Sequence, residues 1–254
     1  DRRLRSRLRR LAAGKGRQPH HFNAPERPQR KEVNPPLVMC LTNTVAANFT
    51  ANVLLAIGAK PALIEEESEA DELAALADAV LVNVGTLSSQ QAEVMRAAVR
   101  VCSARSIPWV LDPVAVQLLD YRRQFVSELL AAQPTALRGN RAEIEFLLGS
   151  VPGLLASVPS LATDETDVIR LGLKEVRQIS GGAPILQSVT ATGCAQGAVV
   201  AAFLGWGQAP TEALESASKL MKRAAERALA SARGPGSFQP ALLDSLAALA
   251  SEFV

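Results

Sequence analysis

From Pro36 onward, short apolar runs alternate with amphipathic stretches of helical period. The apolar runs Leu37–Leu41, Ala62–Ile64, Ala79–Val84, Trp109–Leu111, Ala136–Leu137 and Ser160–Thr163 read as strands. Between them, Phe49–Ile57, Glu69–Ala77, Ser89–Ala104, Arg122–Ala132 and Arg141–Leu148 place apolar residues at helical spacing. Strand and helix in strict alternation predict βαβ units, and therefore an α/β fold with a mostly parallel sheet covered by helices on both faces. From Cys194 to Val254 the chain reads as nearly all helix, broken at Gly205-Trp206-Gly207 and Gly234-Pro235-Gly236. There is no internal repeat.

Polar residues gather where the strands should end. Thr42-Asn43, Asn83-Val84-Gly85-Thr86, Asp112-Pro113, Arg138-Gly139-Asn140 and Thr163-Asp164-Glu165 each follow an apolar run directly. In open α/β sheets ligands sit beyond the carboxyl ends of the strands, so these five groups should converge on one crevice. Such a set suits phosphoryl transfer: Asp112 and Glu143 for a hydrated Mg²⁺, Arg138 for phosphate oxygens. Each has a plainer reading, Asp112 as the turn residue before Pro113 and Glu143 as a carboxylate compensating a helix dipole.

The stretch Thr190-Ala191-Thr192-Gly193-Cys194-Ala195-Gln196-Gly197 precedes the apolar run Ala198–Leu204. It reads as a small-residue turn feeding a buried helix, whose first free N–H groups form an anion site. Cys194 then stands at the helix N-terminus, where the macrodipole is expected to lower its thiol pKa. It is either a base or nucleophile, or a small buried thiol of the core.

Composition narrows the class. The 254 residues are 48% hydrophobic, enough for one large core. Three cysteines and two histidines, without metal-ligand spacing, argue against a disulfide framework or a zinc site and for a reducing, cytoplasmic setting. No apolar run approaches the roughly 20 residues of a membrane span, and no apolar run near the start suggests a secretory signal. The net charge of +2 is uneven: residues 1–34 hold eleven basic residues against three acidic, an excess of +8 that leaves −6 on the rest. Residues 1–34 therefore form a basic arm, expected to be disordered beyond a possible short helix, and residues 35–254 one domain. A mildly acidic body argues against nucleic acid or membrane as its partner.

Seven motifs, in order, resemble the hydroxyethylthiazole kinases of thiamine salvage. They are Leu41-Thr42-Asn43, Asn48-Phe49-Thr50-Ala51-Asn52, Leu81 to Leu87, Leu111-Asp112-Pro113-Val114, Arg138 to Ile144, Thr192-Gly193-Cys194 and Gly234-Pro235-Gly236-Ser237-Phe238. The resemblance implies a ribokinase-like three-layer fold, a homotrimer, and ATP- and Mg²⁺-dependent phosphorylation of the hydroxyethyl group of 4-methyl-5-(2-hydroxyethyl)thiazole. It implies Cys194 as the catalytic base and Asp112 with Glu143 at the metal. Arg138, Thr163, Asn140 and Gly193 would meet the nucleotide. Asn43, Leu63 and Ala191 would meet the thiazole alcohol, near a subunit boundary.

The chain departs from that family at five places, one being the basic arm where the family has its first helix. Ala191 replaces a glycine, so a Cβ projects where the backbone meets substrate. Asp164 replaces another glycine, placing a carboxylate beside the expected triphosphate, where it should weaken nucleotide binding. Leu63 replaces a methionine, a volume-conserving change. About two dozen residues are missing after Gly149, leaving Val151–Ser160, with Pro152 and Pro159, as an awkward approach to a central strand. A parallel crossover still needs only a dozen or so residues. The departures leave two competing expectations, an impaired kinase-fold homologue and a binding protein that acts through its Arg-rich arm.

Overall fold

The computed structural model describes residues 34–254, so the basic arm lies outside the described residues except for Asn34. Eight strands form one sheet: β1 (Leu37–Leu41), β2 (Lys60–Leu63), β3 (Ala79–Asn83), β4 (Trp109–Asp112), β5 (Ala136–Asn140), β6 (Pro159–Thr163), β7 (Asp167–Leu171) and β8 (Lys174–Ile179). Their order is β2-β1-β3-β4-β5-β6-β7-β8. The first six are mutually parallel, and β7 and β8 are added antiparallel.

The helices are α1 (Ala47–Ile57), α2 (Glu67–Leu76), α3 (Ser89–Arg105), α4 (Asp120–Ala131), α5 (Arg141–Ser150), α6 (Pro152–Leu155), α7 (Thr192–Gly205), α8 (Pro210–Leu229) and α9 (Pro235–Leu249). Successive strand side chains point to opposite faces, and the core divides accordingly. Val38, Cys40, Leu81 and Val110 pack on one side with α1, α7, α8 and α9. Met39, Val80, Val82, Trp109 and Leu111 pack on the other with α2, α3, α4 and α5. This is the expected three-layer arrangement. Helix α7 is apolar on every side and its residues Ala195–Leu204 are all buried, as befits a helix enclosed between sheet and outer helices.

Local signals explain the boundaries. Ser88 caps α3 in a reciprocal pair with Gln91, and Asn140 caps α5 in the same way with Glu143. Gly58 ends α1 in the left-handed conformation.

Two findings qualify the sequence reading. The shortened connection after Gly149 is bridged by the single turn α6, and β6 still pairs with β5 through Leu137 opposite Ser160. Pro159 is the first residue of β6, outside that β5 pairing, where its missing N–H removes no bond to β5. The β7–β8 hairpin was not expected. It turns through Gly172-Leu173, with Gly172 at φ +57°, and β8 is mostly exposed. Its residues Lys174, Glu175, Arg177 and Gln178 protect a sheet edge from pairing, at the expense of the apolar signal by which a strand is recognised. Among the described residues, no helix is long and apolar enough to cross a membrane.

Candidate functional site

All five polar groups lie at the carboxyl ends of parallel strands, along one edge of the sheet. There a hydrogen-bonded chain crosses the strands. Asn43 Nδ2 donates to Cys194 Sγ at 3.3 Å and to Asn83 Oδ1 at 3.1 Å. Asn83 Nδ2 donates to Asp112 Oδ2 at 2.7 Å. Asn43 Oδ1 accepts from Ala46 N–H at 3.0 Å, which fixes the amide with its NH₂ toward the sulfur.

Asp112 is fully buried at the end of β4. Burial pushes its carboxyl up to about 7, with nearby Glu143 adding to the rise while Arg138 and the Asn83 hydrogen bond oppose it. Its Oδ1 is buried without a hydrogen-bond partner. Arg138 NH1 lies 3.7 Å from Asp112 Oδ2. The same guanidinium donates to Thr163 Oγ1 at 2.9 Å and to Gln196 Oε1 at 3.3 Å. Gln196, two residues past Cys194, had been assigned no role from sequence; its position in the small-residue stretch was the only signal.

Glu143 accepts the N–H of Asn140 on Oε2 and that of Ala115 on Oε1, both at 2.8 Å. Glu143 thus stands in the first turn of α5 as its dipole-compensating reading requires, closes the cap with Asn140, and lies near Asp112. Asn140 accepts from Glu143 N–H at 2.9 Å while lining the cleft described below. Gly193 allows the loop to approach Arg138: a Cβ at that position would lie 2.9 Å from NH1.

The pKa expectation for Cys194 is corrected. Its thiol is raised from the ordinary value, chiefly by burial and next by the charge of Asp112. Hydrogen bonds from Asn83 and Asn43 and the charge of Arg138 only partly oppose this. The helix start is present: the first amide of α7 to find a helical partner is Ala195 N–H, donating to Ala191 C=O at 2.9 Å. The three amides before it are the orphan donors of a helix N-terminus.

The expectation for Asp164 is corrected as well. Rather than standing alone, its carboxylate accepts from Arg141 Nε at 2.5 Å. The Glu165 backbone N–H and the Arg141 guanidinium hold it below the usual carboxylate range. We therefore expect Asp164→Gly to tighten ATP binding by less than about fivefold, the scale of a solvent-screened pair. Calorimetric titration of both proteins checks this, and a gain above tenfold would show the charge to be uncompensated.

Ala191 has φ +73°, the left-handed region. For an L-residue this costs about 1–2 kcal/mol, while glycine loses about 0.4–1 kcal/mol through the unfolded chain. Ala191→Gly should thus stabilise by about 0.5–1 kcal/mol, raising the melting temperature by about 1–4 °C. A fall in melting temperature would contradict the strain. Leu63 stands apart from this group, 39% exposed on the outer strand β2 and level with Cys40.

Beside Arg138, Thr163, Gly193 and Gln196 opens a cleft of about 1110 Å³. Ala183, Pro184, Leu186 and Met221 give it an apolar lining, and Thr192, Asn140 and Arg141 a polar one. A phosphate-bearing ligand with an aromatic base suits such a lining.

Comparison with known proteins agrees with this geometry. The sequence profile of the hydroxyethylthiazole kinase family matches residues 29–160 and 155–252. Hydroxyethylthiazole kinase of Shigella boydii serotype 18 is 45% identical over 238 residues, covering 85% of this chain and 90% of its own. That of Escherichia coli O157:H7 is 44% identical over the same shares. Among solved structures, hydroxyethylthiazole kinase protein from Pyrococcus horikoshii OT3 superposes with a TM-score of 0.78 at 35% identity, over 84% of this chain and 88% of its own. A ribokinase-like superfamily protein of Enterococcus faecalis V583, at 13% identity and a TM-score of 0.53 over 89% and 92%, shares the fold alone. A profile match over nearly all the described residues, joined to this identity, places the chain: it belongs to the hydroxyethylthiazole kinase family.

Proposed function

We propose that this chain transfers the γ-phosphoryl group of ATP to the hydroxyethyl oxygen of 4-methyl-5-(2-hydroxyethyl)thiazole. The observation that carries the reading is the placement of Cys194 Sγ, oriented by Asn43, on the first turn of α7, whose orphan amides adjoin the Arg138–Thr163 wall of the cleft. Family membership supports the choice of alcohol.

In this reading ATP lies in the cleft, its base toward Ala183, Pro184, Leu186 and Met221 and its phosphates toward Arg138, Asn140, Thr163 and Gly193. The alcohol approaches Cys194 from the side of Asn43 and Ala191, and Leu63, apart from them on β2, would meet it only at a subunit boundary. Cys194, as its thiolate, accepts the hydroxyl proton as the hydroxyethyl oxygen bonds to the γ-phosphorus and the bond from that phosphorus to the leaving ADP oxygen breaks, while Arg138 and the amides at the start of α7 stabilise charge on the phosphoryl oxygens. Because the thiol is raised, the thiolate that acts as base is the minor form near neutral pH, and it binds the transferred proton firmly.

The residues fit a hydrated Mg²⁺. Asp112 offers a buried oxygen without a partner, and Glu143 adds a second charge nearby. A hydrated Mg²⁺ typically takes one or two carboxylates, with water and substrate phosphates completing its shell. Asp112 and Glu143 would hold it, and it would neutralise charge on the triphosphate.

We also infer one kinase domain over residues 35–254, and a homotrimer as the resemblance implies. The exposed Val45, Leu55 and Leu63 are apolar surface that a neighbouring copy would cover. The grounds for an impaired homologue are weak, since Arg141 compensates Asp164 and β6 keeps its place beside β5. The binding-protein reading rests on the arm, outside the described residues. A coupled assay with the thiazole alcohol, ATP and Mg²⁺ tests the proposal. Turnover dependent on all three is expected, and its absence with a folded protein would overturn it.

A further inference from the structure

Helix α8 presents Ser218, Lys222 and Glu226 at successive i, i+4 positions, hence on one face, toward two loops at the site edge of the sheet. One is the turn from β6 to β7, residues 164–166; the other follows β8, residues 180–183. Both line the cleft. We propose that Lys222 is a positioning residue for this cleft, a tethered cation whose ammonium ties the two loops together; the proposal rests on the reading of the cleft as the nucleotide site.

The ammonium is enclosed by oxygen. It donates to the carbonyls of Glu165 at 2.9 Å, Gly181 at 3.0 Å and Asp164 at 3.2 Å. Asp167 Oδ1 lies 3.2 Å away, and both side chains are at least nine-tenths buried. An ammonium has three N–H donors, so four oxygens leave it fully used, with one donor shared. Without it, three carbonyl dipoles and a carboxylate would face one another. Positive charge at that point is what allows the loops to converge.

The surroundings are built for this contact. Ser218 Oγ donates to Asp167 Oδ2 at 2.7 Å and Asp164 N–H to Asp167 Oδ1 at 3.1 Å, so the counter-ion is itself held. Gly182 N–H donates to Glu226 Oε1 at 2.7 Å. Gly181 adopts φ +101°, a conformation in which an L side chain is strained, and lies close beside Glu226 Oε1, so glycine favours the approach of this loop to the helix. Lys222 sits where α8 can transmit the position of both cleft walls, beyond the reacting atoms at Cys194.

The test uses Lys222→Met and, because a lone Asp167 charge could prevent folding, the double variant Lys222→Met with Asp167→Asn. Without nucleotide, amide hydrogen exchange in residues 164–167 and 180–183 should be at least about tenfold faster than in the parent, with β1 to β4 unchanged. In the assay, the KM for ATP should rise about five- to twentyfold while kcat and the KM for the alcohol stay within about twofold. Unchanged exchange in both loops overturns the proposal, and so does an equal rise in the two KM values, which a general loss of structure would produce. If the parent protein binds no ATP, the functional reading fails, and the exchange measurement alone then decides whether Lys222 ties the loops.

Discussion

Cys194→Ser is expected to lower turnover by about 10²–10⁴-fold, the usual contribution of a positioned general base, while leaving the affinity for ATP within about twofold. A base acts as the proton leaves the alcohol and contributes little to holding nucleotide in the ground state. The substitution changes volume slightly and preserves a hydrogen-bond acceptor for Asn43 Nδ2, so the fold should be unaffected. The pH profile supplies a second signature. Burial and the Asp112 charge raise the Cys194 thiol, so thiolate becomes available only at high pH. Turnover of the parent at saturating substrate should climb with pH without levelling near the ordinary thiol value of about 8.5. The serine variant should lack that rise. Steady-state kinetics from pH 6.5 to 9.5 check both, and a serine variant with parental turnover would remove Cys194 from the chemistry.

Arg138→Met should be the most damaging change to both binding and stability. Arg138 faces the fully buried Asp112 and also holds Thr163 and Gln196. Its loss leaves a buried carboxylate unpaired, a change that costs about 3–5 kcal/mol where the charge persists. The cost depends on pH, and its sign follows from Asp112. That carboxyl is raised in the folded chain to about 7 from 3.8, so the folded state holds a proton that the unfolded state has released. Stability from this group is full below the unfolded value and is lost as pH rises through the folded one. Removing Arg138, whose charge lowers that value, shifts the loss upward. Near pH 6 the variant should therefore be destabilised only modestly, with Asp112 protonated, and the deficit should grow toward the full cost above about pH 8. ATP affinity should fall by about 10²-fold or more, since charge-assisted contacts to phosphate are lost. Denaturant unfolding at pH 6 and pH 9 checks the first expectation. Equal deficits at both would show that Arg138 stabilises by packing rather than by compensating Asp112.

What could be read from the chain was whatever is encoded within a few neighbouring residues. The runs at Ala79 and Trp109 are fully buried strands, and the run at Leu37 is buried from Val38 onward, because both sheet faces are covered, and buried parallel strands are continuous apolar stretches. The pair Asn140 and Glu143 writes its own helix start. Asn43, Asp112, Arg138 and Thr163 were legible as one site because parallel strands must deliver their carboxyl ends to the same edge. Tertiary structure decided the rest. The β7–β8 hairpin closes the sheet with a polar edge strand whose sequence resembles a solvated loop. The raised thiol of Cys194 depends on how much protein surrounds it, which outweighs the local pull of its helix terminus. Asp164 looked like an isolated charge until strand pairing of β5 with β6 brought Arg141 against it. Lys222 belongs by sequence to a charged helix, and only chain folding places it beside carbonyls 41 to 58 residues away. Periodicity and capping act over one or two turns, so the sequence by itself determined the parallel strands, the helices between them and their shared edge, while burial and charge pairing, set by distant segments, decided the chemistry of each side chain there.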